Sequence, residues 1–68
     1  MTLGLYRRVR FLGDHPAEGV TRGTVGWIIE IHDDPTAPDG KAYEVEVVGE
    51  DGLTVALVVA RAHELELL

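Results

Sequence analysis

From Leu5 to Leu12 apolar and charged residues alternate, with Leu5, Val9 and Phe11 on one side and Arg8 and Arg10 on the other. That is the period-2 pattern of a strand with one buried face. Gly13-Asp14-His15-Pro16 ends it, because proline lacks the N–H a ladder needs and biases His15 toward extended geometry. A loop through Glu18, Gly19 and Arg22 leads to a second alternation over Thr24 to His32. Here Val25, Trp27, Ile29 and Ile31 read as the inward set against Gly26, Ile28 and Glu30. Gly26 inside a strand signals a bulge, a bend or the close approach of another backbone. The third strand, Ala42 to Val48, puts Tyr43, Val45 and Val47 inward and Glu44 and Glu46 outward. The fourth, Leu53 to Val59, is apolar on both faces.

The punctuation supports this division. Asp33-Asp34-Pro35 through Pro38-Asp39-Gly40 forms a long polar loop, and Gly49-Glu50-Asp51-Gly52 ends in the Asp-Gly pair of a hairpin. Ala62-His63-Glu64-Leu65 predicts a short helical turn before a last strand. No stretch supports a long helix. The expected fold is therefore all-β: a five-stranded antiparallel SH3-like barrel, with strands near 5–12, 24–32, 42–48, 53–59 and 65–68 and a helical turn before the last.

A length of 68 residues is that of a single domain, and one so short buries only about 60% of its unfolded surface. Cysteine is absent, which removes disulfides and thiolate zinc sites as sources of stability. The opening MTLGLYRRVRF breaks into charge before an apolar stretch forms, and the run Val55 to Ala60 is far short of the ~20 residues that cross a bilayer. The expected address is the cytoplasm, with no membrane contact. The net charge of −6 is segregated: residues 1–22 carry four arginines against two acids, and residues 23–68 carry two cations against ten acids. So acidic a chain disfavours a phosphate backbone as partner.

Two resemblances run along these blocks. Gly23-x-x-Gly26-x-Ile28-x-x-Ile31 resembles the glycine-and-hydrophobic pattern of KOW-type SH3-like barrels. Over nearly the whole chain, the opening strand, Asp14-x-Pro16, GVTRGTVGWIIEI, YEVEVVGEDGLTVALVV and HELELL resemble the bacterial domain-of-unknown-function family numbered 4926. The resemblance implies a stand-alone SH3-like barrel and brings no catalytic residues with it. Trp27 stands where that family's pattern leads one to expect a small polar residue, Val47 where an aromatic is common, and the 33–41 loop is longer than usual.

Candidate chemistry is sparse. No serine or cysteine nucleophile exists, and Thr2, Thr21, Thr24, Thr36 and Thr54 have no histidine close in sequence to activate them. His15, His32 and His63 are scattered, and His32-Asp33-Asp34 reads as a solvated loop end rather than a metal site. Glu44 and Glu46 read as an ordinary solvated face. No enzyme activity, cofactor or metal is expected. With Trp27 (or its neighbour, if Gly26 bends the strand), Ile29, Tyr43, Val45, Val55 and Leu57 taken as inward, Ile28, Val48, Ala56 and Val58 are left on the opposite face as an apolar surplus. The expected function is a protein-interaction module. It would be the antitoxin-like or accessory small partner of a neighbouring gene product, or would pair with a second copy of itself. The expected contact residues are Arg7, Arg8, Arg10, Trp27, Ile28 and Val58. The alternative is an accessory domain that binds a small molecule or nucleic acid.

Overall fold

The computed structural model describes residues 2–68. Five strands follow one another: β1 (Arg8–Phe11), β2 (Val25–Asp33), β3 (Lys41–Val48), β4 (Thr54–Ala60) and β5 (Leu65–Leu67). Two 3-10 turns, Pro16–Glu18 and Ala62–Glu64, are the only helical pieces among the described residues. The strands form a single antiparallel sheet in the order β4-β3-β2-β1-β5. The inward side chains of all five meet in one cluster, so the sheet curls over on itself into an open barrel-like shape. The all-β architecture, the strand count and the turn before β5 agree with the sequence.

β1 is shorter than the alternation suggested. Tyr6 adopts a left-handed φ of 64° and turns the chain just before Arg8, leaving Leu5 half-exposed instead of inward. The turn is held by Tyr6 N–H donating to the Ile28 carbonyl at 2.6 Å and Ile28 N–H donating to the Arg7 carbonyl at 3.0 Å. The Gly49–Gly52 hairpin forms as read. Gly52 takes a φ of 82° and donates to the Gly49 carbonyl, and Asp51 Oδ1 accepts from Leu53 N–H.

The core is built from Val9 and Phe11 of β1, Ile28 of β2, Tyr43, Val45 and Val47 of β3, Val58 and Ala60 of β4, and Leu65 of β5, with Val20 from the β1–β2 loop. Two expected faces are therefore exchanged. Ile28 and Val58 are fully buried, at 0% and 1% exposure, whereas Trp27 and Leu57 stand about half in solvent. Val55 is more exposed still, and Ala56, expected on the outside, packs against the core.

The reason lies in the ladder. On β2, Ile28 lies opposite Val45 but Glu30 lies opposite Glu44, so Ile29 is an extra, bulged residue. The bulge shifts the alternation by one, which lets Ile28 and Ile31 both face inward although they are three apart. On β4, Val47 lies opposite Ala56 and Val48 opposite Thr54, so Val55 is bulged in the same way. Val58 then falls opposite Val45, inside the barrel, and Leu57 opposite Glu46, outside it.

Candidate interaction face

The outer surface of β2, β3 and β4 carries the side chains that the core leaves over. Register sets them in rows: Arg8, Trp27, Glu46 and Leu57 form one, and Glu30, Glu44 and Val59 the next. Trp27 is 46% exposed, Leu57 52%, Val59 61% and Val55 63%. Among the described residues, no strand lies over them. Glu46 is held within the rows by Thr54, whose hydroxyl donates to its Oε2 at 2.5 Å. Glu44 is met by His32, with Nε2 3.1 Å from Oε1. The face is thus apolar, interrupted by carboxylates, with Arg8 at its β1 end.

The expected contact residues divide accordingly. Trp27 and Arg8 lie side by side on this face. Ile28 and Val58 do not belong to it, because their side chains fill the core. Arg10 points outward but its Nη1 is engaged by Glu66 Oε1 of β5 at 2.8 Å, with both side chains about half exposed. Arg7 is partly buried and is not displayed beside the other two. Arg8 and Arg10 therefore share the outer face of β1, and Arg7 stands apart from them.

Val55, Leu57 and Val59 were not among the expected contacts. The signal that locates Leu57 and Val59 is the hairpin: once Glu44 and Glu46 are known to face out, the residues opposite them on β4 face out as well, whereas the bulged Val55 has no partner in the register.

Elsewhere the surface holds an open hollow of about 320 Å³, lined by Thr2, Leu3, Asp39, Lys41, Tyr43 and Ala62. Asp39 is engaged on both of its carboxylate oxygens. Tyr43 donates its hydroxyl to Asp39 Oδ2 at 2.8 Å, and Lys41 N–H donates to Oδ1 at 3.1 Å. The Tyr43 hydrogen bond holds the Asp39 carboxyl below its ordinary range. Burial, and then the neighbouring carboxylate, push the Tyr43 phenol up. The pair ties the 34–40 loop to β3.

No helix among the described residues is long and apolar enough to cross a membrane. One curled antiparallel sheet around one apolar cluster, with an outer face of tryptophan, aliphatics and carboxylates, defines a small all-β barrel-like domain. A family model described as a domain of unknown function, DUF4926, matches residues 5–67, and the chain belongs to that family. Among curated proteins and solved structures, nothing matches it.

Proposed function

We propose that this domain is a non-catalytic protein-interaction module and that the outer face of β2–β4 is its contact surface. The observation that carries the reading is the row of exposed apolar side chains, Trp27, Val55, Leu57 and Val59, on one side of a sheet whose other side is already packed. Large apolar side chains gathered on one exposed face mark interaction sites, and a tryptophan is a common anchor at protein contacts. Glu44 and Glu46 lie among these residues, and residues 23–68 as a whole are strongly acidic. A complementary partner presents apolar side chains interspersed with lysine or arginine. A second copy laid face to face would set Glu44 and Glu46 against their own equivalents, so a basic protein, such as the product of a neighbouring gene in an antitoxin-like pair, suits the face better.

The test is isothermal titration of the purified neighbouring gene product with wild type and with a Leu57→Glu, Val59→Glu double variant, circular dichroism confirming that both are folded. Binding by the wild type and at least a tenfold loss in the variant support the reading. Equal binding by both proteins removes this face from the contact. Capture of nucleic acid or a metabolite in place of protein transfers the function to the accessory-domain alternative.

A further inference from the structure

Glu30 and Glu44 lie directly opposite each other on β2 and β3, and His32 projects from the same face of β2 two residues further on. Two carboxylates facing each other across a ladder repel. The imidazole of His32 stands beside them, its Nε2 meeting the Glu44 carboxylate. The bulge at Ile29 creates this arrangement. In an unbroken ladder Glu30 would lie opposite Tyr43 and point at the core, whereas the extra residue swings it outward beside Glu44. One donor atom from each of the three side chains lies within 4.8 Å of the other two.

We propose that Glu30, His32 and Glu44 form a binding site for a divalent transition ion of the zinc class, with solvent completing the coordination. The donor set indicates the class. An imidazole beside two carboxylates suits zinc and its neighbours, whereas magnesium and calcium take oxygen donors alone. The absence of sulfur from the set argues against a soft monovalent ion. An ion about 2.1 Å from each donor needs donors roughly 3.4 Å apart. His32 Nε2 and Glu44 Oε1 are already 3.1 Å apart. Glu30 and His32 are exposed, so rotation about their side-chain bonds can close the rest without moving the strands. A bound ion would relieve the carboxylate repulsion and fasten β2 to β3 on the face opposite the core. The proposal stands independently of the protein-partner reading, since it concerns the isolated chain.

The experiment is calorimetric titration of chelator-treated protein with zinc chloride, on wild type and on the His32→Ala, Glu30→Gln and His63→Ala variants, with thermal unfolding recorded beside it. The expected result is one ion per wild-type chain and a rise in melting temperature with zinc. Affinity should fall at least tenfold in His32→Ala and in Glu30→Gln, and stay unchanged in His63→Ala, whose histidine lies outside the cluster. Millimolar magnesium should not compete. No binding heat in the wild type, or equal zinc affinity in His32→Ala, overturns the site. Displacement of zinc by magnesium overturns the ion class.

Discussion

Gly26 on β2 and Val45 on β3 approach so closely that a Cβ at position 26 would stand 2.6 Å from Val45 Cγ1. The same atom would lie 2.7 Å from the Glu46 carbonyl oxygen, which belongs to the backbone and cannot rotate away. The glycine is thus set by the contact between β2 and β3 where the sheet curls, and its φ is not of the left-handed kind. Gly26→Ala should lower unfolding stability by about 1–3 kcal/mol through overpacking. Gly13, with open space where its Cβ would go, should accept alanine with a change within about 0.5 kcal/mol. Urea denaturation of the two variants beside wild type checks the difference.

The exchanged faces make a second comparison. Ile28→Ala should cost about 2–5 kcal/mol, because the side chain is fully buried in the cluster. Leu57→Ala, at a half-exposed position, should change stability by no more than about 0.5 kcal/mol. Equal losses at the two sites would mean that Leu57 also packs in the core.

Tyr6 concerns the backbone alone. Its left-handed φ strains a residue with a Cβ, while its side chain is largely in solvent. Tyr6→Gly should relieve about 1–2 kcal/mol of strain, and the greater freedom of glycine in the unfolded chain should return about half of that. A small net rise in melting temperature is the expected outcome, and a fall would show that the Tyr6 ring contributes packing.

The loop pairs predict how stability responds to pH. The carboxyls of Asp34 and Asp39 are both held below the ordinary value of 3.8 in the folded chain. For Asp34 the side-chain hydroxyl of Thr36 is the main cause, its backbone N–H adds to it, and Arg61 contributes further. For Asp39 it is the Tyr43 hydroxyl. Because folding lowers these values, the stability they contribute is complete above 3.8 and is lost as the pH falls through the folded-state values. Tyr43 is raised above 10.0, so its contribution is complete below 10.0 and disappears as the pH rises through its folded value. Denaturation midpoints measured across pH should therefore fall at both extremes. Tyr43→Phe should reduce the fall at both extremes.

How much of this was legible depended on whether a strand carried polar residues. In β3, Glu44 and Glu46 mark the outside, so Tyr43, Val45 and Val47 could be assigned inward and are buried. Val9 and Phe11 were assigned between arginines in the same way. β4 reads Thr-Val-Ala-Leu-Val-Val-Ala, with no polar residue after its first position, and either face could be the inner one. The candidate metal cluster was hidden for a related reason. Glu30 and His32 are two apart and visibly share a face, but Glu44 joins them only through the β2–β3 register.

Alternation and turn chemistry thus determined that the chain would be all-β, where its five strands and its Asp-Gly hairpin lie, and which side of β1 and β3 faces in. They are local properties, set by side-chain hydration and backbone preference over a few residues. Which side of β2 and β4 is buried was decided only in the folded sheet. One inserted residue, Ile29 or Val55, moves every following side chain to the other face. Whether a bulge forms depends on how well Ile28 and Val58 then fill the space against Val45, an interaction between strands that no single strand's sequence contains.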